Sequence, residues 1–194
     1  MTGKLKKRLG FTLIEILLVI AIIFIFSTYI MINYKKNQPT YALLGVAQKI
    51  SFNLRRAQNM AMSSKEFHGK VPQGGYGVYF PITPLNEVGT YIIFADCDGS
   101  KDYNTSGLPC EGNFSEKLEE ITLEGGINIR SILCSPACSL NDRGYVVFIP
   151  PDPTIIIGPA NVGENVIDID ITLSVEGGPV RTITVNKVGK IDIE

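Results

Sequence analysis

The apolar pattern of the chain changes twice, and each change predicts a different element. From Phe11 to Ile32 the run FTLIEILLVIAIIFIFSTYIMI is almost wholly apolar, and Glu15 is its only acidic or basic side chain. A helix with no polar face is one surrounded by hydrocarbon rather than water. At about 1.5 Å per residue the run reaches about 33 Å, enough to cross a hydrocarbon core about 30 Å thick. From Tyr41 to about Ser64 the apolar residues thin out to Leu43, Val46, Ala47, Ile50, Leu54, Ala57 and Ala61. That spacing predicts an amphipathic helix with one stripe laid against a sheet. Gln48, Asn53, Arg55, Arg56 and Asn59 fill much of the remainder, as a solvated face would require. Between the two patterns Asn37-Gln38-Pro39 interrupts the run, and Thr40 is placed to cap a second helical segment.

Beyond Ser64 the period falls to two. Tyr76–Phe80 and Thr90–Phe94 read as strands separated by a Pro/Asn/Gly loop. Ile121–Leu123 and Ile127–Leu133 bracket Glu124-Gly125-Gly126, a hairpin signal. Gly144–Ile149 ends at the breaker Pro150-Pro151-Asp152-Pro153. The clearest alternation is Ile167, Ile169, Ile171, Leu173 and Val175, interleaved with Asp168, Asp170, Thr172 and Ser174. A Glu176-Gly-Gly-Pro turn leads into Val180–Val185, and the chain closes on Gly189-Lys-Ile-Asp-Ile. The expected fold class is α+β: a long N-terminal helix, transmembrane then amphipathic, packed on a C-terminal antiparallel β-sheet domain of about seven short strands.

Charge orients the apolar helix. Lys4, Lys6, Lys7 and Arg8 precede it, with no acid before Glu15. The positive-inside rule then places the start of the chain in the cytoplasm and everything after Tyr34 on the other side. A secretory signal peptide is one competing reading, but its apolar region is shorter and ends in a small-x-small site, whereas this run ends in Ile-Asn-Tyr-Lys-Lys. A plain anchor is another, and Glu15 argues against it. A carboxylate in lipid costs about 2.5–3.5 kcal/mol even on lenient scales, which implies a partner.

These residues carry a family resemblance. Lys-Lys-Arg-Leu-Gly10 followed by Phe11-Thr12-Leu13-Ile14-Glu15 resembles the processing site of type IV prepilins and type II secretion pseudopilins. The resemblance implies cleavage by a prepilin peptidase/methyltransferase between Gly10 and Phe11, with N-methylation of Phe11. It implies that Glu15 meets the terminal amine of a neighbouring subunit during assembly. Members at the very tip of a fibre lack that glutamate, so its presence implies neighbours on both sides. Many pilins carry a proline in the second half of the apolar helix; here the first proline is Pro39. The implied organisation is a leader at 1–10, removed; a transmembrane and assembly helix at 11–34; an amphipathic continuation at 35–64; and an extracytoplasmic β-rich domain at 65–194. The implied partners are other pilin or pseudopilin subunits, the peptidase, the membrane and an assembly platform protein. The implied location is the inner membrane as a single-pass protein, and then the pilus or pseudopilus. Leu54-Arg-Arg-Ala-Gln-Asn-Met-Ala61, Gly-Tyr-Gly-Val-Tyr-Phe80 and Ile92-Ile-Phe-Ala-Asp96 resemble a narrower branch, the H-type pseudopilin and FimT-like minor pilins.

Composition adjusts this picture in three places. The whole chain has a formal charge of −1, and removing the four leader cations leaves 14 Lys+Arg against 19 Asp+Glu. An acidic mature chain is a poor nucleic-acid binder. DNA capture, as in the minor pilins of uptake systems, is the alternative function, and Arg181, Lys187 and Lys190 are the late cations that would carry it. Cys97, Cys110, Cys134 and Cys138 all fall outside the cytoplasm, where disulfides are the default. Three pairings exist; Cys97–Cys110 and Cys134–Cys138 are expected because each closes a short Gly/Pro/Ser-rich loop. Zinc is the alternative, with His68 the one distant histidine.

Asp96, Asp98 and Asp102 place oxygens at alternate positions, as Ca²⁺ binding requires, with Glu111 brought near if Cys97 joins Cys110. The glycine falls at position four, whereas an EF-hand loop has it at six, and an Asp-Gly turn after a strand is the simpler explanation. Asp168 and Asp170 share a strand face as alternating polar residues do. No phosphate loop and no Ser/His/Asp set is visible, so the sequence gives no argument for an enzyme or for any other cofactor.

Overall fold

The computed structural model describes residues 10–81, 89–104, 110, 112–135, 143–150, 154–158 and 166–194. Helix α1 spans Leu13–Met62. It runs through Pro39 and does not restart at Thr40, contrary to the expected interruption. Proline removes one N–H from the ladder, at a cost of about 3 kcal/mol, and the bonds on either side continue without it. The helix stops where Ser64 turns left-handed, at φ 47°. There the Lys65 N–H reaches the Met60 carbonyl at 3.0 Å and the Ser64 N–H reaches that of Ala61 at 3.0 Å. This is a Schellman closure with serine in the place glycine usually takes.

The chain divides into two compact units, Met1–Gln38 and Pro39–Glu194. In the first, Leu13–Met31 is the one helix among the described residues long and apolar enough to cross a membrane, and none of it is buried.

Among the described residues the second unit holds nine strands in two antiparallel sheets: β1 Gly75–Pro81, β2 Thr90–Asp96, β3 Lys117–Thr122, β4 Ile127–Ser135, β5 Arg143–Ile149, β6 Thr154–Ile157, β7 Asp168–Val175, β8 Val180–Asn186 and β9 Ile191–Ile193. The five-stranded sheet has the order β3-β2-β1-β5-β6 and the four-stranded sheet β4-β7-β8-β9. Two expectations change here. Strand β6 follows the breaker and was not expected, because four residues between a proline and a glycine are too short to show a period. Strands β3 and β4 do not form a hairpin. Thr90–Phe94 takes β3, and β7 takes β4, so Glu124-Gly125-Gly126 passes the chain from one sheet to the other. Both glycines have φ near 70°, as a hairpin turn would. Burying Ile127, Ile129 and Ile132 against Ile169, Ile171 and Leu173 decides the pairing instead.

All seven stripe residues of the amphipathic half, Leu43 to Ala61, are buried in one core with the inner faces of both sheets. Tyr76, Val78 and Phe80 supply it from β1, and Ile183 and Val185 from β8. β1 is buried on its other face as well. There Tyr79, Phe94, Tyr145 and Val147 form a second, smaller cluster with Tyr103, which comes from the loop after β2. That loop is closed by the expected Cys97–Cys110 disulfide. Cys134 is disulfide-bonded too, while Cys138, the partner expected for it, lies outside the described residues.

Candidate assembly helix and carboxylate cluster

The start of α1 is built by Thr12. Its carbonyl accepts the N–H groups of Glu15, at 3.1 Å, and Ile16, at 3.3 Å. Its hydroxyl also accepts the Glu15 N–H, at 3.4 Å. Thr-x-x-Glu is the pattern of a capping box, so Glu15 sits in the first turn, where the helix dipole favours an anion. Gly10, Phe11 and Glu15 are all exposed, and Phe11 shows 81% of its surface.

The family described as "Prokaryotic N-terminal methylation motif" matches residues 5–31. That motif supports a type IV pilin-like subunit, and with the apolar helix it is consistent with a membrane-anchored one. No curated protein and no solved structure matches the chain.

A second cluster lies where β2 meets the disulfide loop. Carboxylate oxygens of Asp96, Asp98 and Glu116 fall within 4.8 Å of one another. Asp102 does not belong to this group, and Glu116 takes its place; Glu111 lies outside the described residues. Asp102 instead accepts the N–H of Tyr103 at 2.7 Å. Asp96 ends β2 and is fully buried, accepting the N–H groups of Ser100 at 3.1 Å and Lys101 at 2.8 Å. Glu116, also fully buried, accepts those of Cys97 at 3.0 Å and Asn104 at 2.9 Å. Glu116 therefore holds both ends of the loop segment 97–104, and Asp96 holds its middle.

Their protonation follows from where they sit. Burial raises Glu116 to about 7, against the N–H groups of Asn104 and Cys97 and with the charges of Asp98 and Asp96 adding to the rise. Burial likewise raises Asp96 to about 6, opposed by the Lys101 N–H and reinforced by Asp98. Burial pushes Asp98 up as well, but hydrogen bonds from Ser100, Asp96 and Asn104 outweigh it and hold this acid below its ordinary value. Gly74 lies against the cluster, and a Cβ there would collide with Oδ2 of Asp96.

The remaining candidates are ordinary surface features. Asp170 accepts the Thr184 hydroxyl at 2.6 Å, and both it and Asp168 are half-buried. His68 stacks on Phe114 with ring centroids 3.9 Å apart. Arg56 pairs with Glu119 at 2.6 Å. Of the late cations, Lys190 is paired with Asp192 at 2.6 Å and Arg181 is half-buried.

Proposed function

We propose that this chain is a minor pilin or pseudopilin, a structural subunit of a type II secretion pseudopilus or a type IV pilus. Cleavage between Gly10 and Phe11 frees a cationic amine, and methylation modifies it. Glu15 of one subunit neutralises the amine of the next, which removes two uncompensated charges from a hydrocarbon setting. The observation that carries this reading is the match of residues 5–31 to the methylation motif on a helix none of whose span is buried. Assembly supplies the neighbours such a helix lacks in a single chain. DNA capture has weaker support, because Lys190 is already neutralised by Asp192.

Intact mass of the protein from its native cell tests the reading. The expected result is loss of residues 1–10 and gain of one methyl group, and a full-length, unmodified chain would falsify it. Glu15→Ala is expected to abolish entry into fibres while leaving cleavage intact.

The all-oxygen donor set of Asp96, Asp98 and Glu116 is of the kind that Ca²⁺ takes. Such an ion would offset two of the three negative charges and steady the loop at 97–104, a role in stability rather than catalysis.

A further inference from the structure

Two stretches of the chain share a pattern that assembly does not use. Asp102-Tyr-Asn104-Thr-Ser106 and Glu111-Gly-Asn113-Phe-Ser115 each set a hydroxyl two residues after an asparagine and an acid two residues before it, and no other asparagine in the chain is so placed. Asn-x-Ser/Thr is the acceptor pattern for an N-linked glycan, a bulky group that belongs on a surface turn outside the cytoplasm. The fold treats the two stretches differently. Cys110 and Phe114 exchange backbone hydrogen bonds, N–H to carbonyl at 3.2 and 3.4 Å, and close a tight turn beside the disulfide. Gly112 and Asn113 take left-handed φ angles of 80° and 61° to make it. Asparagine enters that conformation more readily than most residues, so turn and acceptor can share position 113. Asn113 is exposed, and its side chain makes no hydrogen bond among the described residues. The Ser115 hydroxyl accepts the Lys117 N–H at 3.2 Å, which leaves its own proton to donate. Asn104, in contrast, is half-buried and engaged. Its N–H is held by Glu116 at 2.9 Å, and its side chain hydrogen-bonds to Asp98.

We propose that Asn113 is an acceptor for an N-linked oligosaccharide and that Asn104 is not. The proposal rests on the subunit reading above, under which the β-rich domain leaves the cytoplasm and meets lipid-borne sugars on the far side of the membrane. The donor is an oligosaccharide carried on a lipid pyrophosphate, and a membrane oligosaccharyltransferase supplies the catalysis. Nδ2 of Asn113 bonds to C1 of the first sugar as the bond from C1 to the phosphate oxygen breaks. The lipid pyrophosphate leaves, the amide gives one proton to a base of the enzyme, and nothing is oxidised or reduced. The Ser115 hydroxyl follows the amide and, in sequence, the Glu111 carboxylate precedes it, a donor and an anion for the enzyme to hold. A glycan on Asn113 stands on a surface turn and displaces no hydrogen bond of that side chain among the described residues. One on Asn104 would have to pull its side chain away from Asp98.

The test uses the full-length chain from its native cell. Digestion after Lys101, Glu111 and Lys117 puts the two asparagines on separate peptides, and tandem mass spectrometry weighs each. The expected result is a sugar-bearing mass on Asn113 and a bare Asn104, with the glycan adding to the intact mass change described above. Ser115→Ala and Asn113→Gln are each expected to lose that added mass. Ser115→Ala keeps the amide in place, so its loss reports acceptance by the enzyme, and melting of both variants shows that the domain is intact. A bare Asn113 on chains that have lost residues 1–10 and gained the methyl group overturns the glycan and leaves the subunit reading standing. Sugar on Asn104, or sugar on Asn113 that survives Ser115→Ala, also overturns the proposal. Sugar on Asn113 of chains that keep residues 1–10 and lack the methyl group overturns the subunit reading alone, and bare chains of that kind overturn both.

Discussion

The buried acids Asp96 and Glu116 make the β-rich domain lose stability as the solution becomes more alkaline, the reverse of the usual behaviour of carboxylates. Glu116 moves from 4.5 in an open chain to about 7 in the fold. At about 1.36 kcal/mol per pH unit, ionising it in place costs about 3 kcal/mol. Asp96 moves from 3.8 to about 6 and carries a similar cost. The two face each other through Asp98 and titrate as a coupled group, so about 3–5 kcal/mol is expected for the cluster rather than the sum. The sign follows from proton binding. Between about pH 4 and 7 the folded domain holds protons that the unfolded chain has released, so stability is greatest at the acid end, falls through this window and levels off above it.

Urea unfolding of residues 39–194 in a chelating buffer, from pH 4.5 to 8.5, measures this directly. Far-UV circular dichroism serves as the probe, because the chain has no tryptophan. Glu116→Gln removes the titration but turns an amide donor toward the N–H of Cys97 or Asn104, an unmet contact costing about 1–3 kcal/mol. The variant should be weaker than wild type at pH 5, and its stability should fall less as pH rises. Saturating Ca²⁺ should reverse the wild-type slope, since the ion binds the deprotonated acids and competes with their protons. A wild-type curve in chelator that is flat or rising from pH 5 to 7.5 refutes the account of the cluster. An unchanged slope with Ca²⁺ removes the ion from it.

Other consequences concern packing. Leu54→Ala, at a fully buried position of α1, should cost about 2–5 kcal/mol in the same urea assay. Replacing Cys97 and Cys110 together by serine frees a loop of 13 residues and should cost about 3 kcal/mol, read as a lower midpoint at unchanged slope. Gly74→Ala forces the Asp96 carboxylate aside and should both destabilise the domain and weaken any Ca²⁺-dependent rise in melting temperature. A Gly74→Ala domain that melts and responds to Ca²⁺ like wild type would show that the cluster tolerates a shift of Asp96.

What could be read in the sequence divides along the line between local and distant causes. The stripe from Leu43 to Ala61 was legible because burial against a sheet imposes the helix's own period on the residues that carry it. The apolar run from Phe11 to Ile32 was legible for the opposite reason, that lipid imposes no period at all. The continuity of α1 across Pro39 was not, since the loss of one hydrogen bond is a local penalty that helix on both sides outweighs. The separation of β3 from β4 was hidden as well, because the turn between them has hairpin chemistry and only the choice of sheet partner distinguishes the two outcomes.

The carboxylate cluster shows both sides of that line within one site. Asp96 and Asp98 announce themselves by spacing along a single strand end. Glu116 has no spacing to announce it. The disulfide brings Cys110 beside Cys97, which makes any acid soon after Cys110 a candidate, and Glu111 is the first the chain offers. The ladder between β2 and β3 makes the selection. The Ala95 N–H bonds to the Glu116 carbonyl at 2.9 Å, so the backbone of Glu116 lies across from the residue next to Asp96. With its side chain on the loop side, the acid lands among the N–H groups of Cys97 and Asn104. Strand register, a property of two segments together, placed the third carboxylate, and this is why a pattern read along one segment pointed to Asp102 instead.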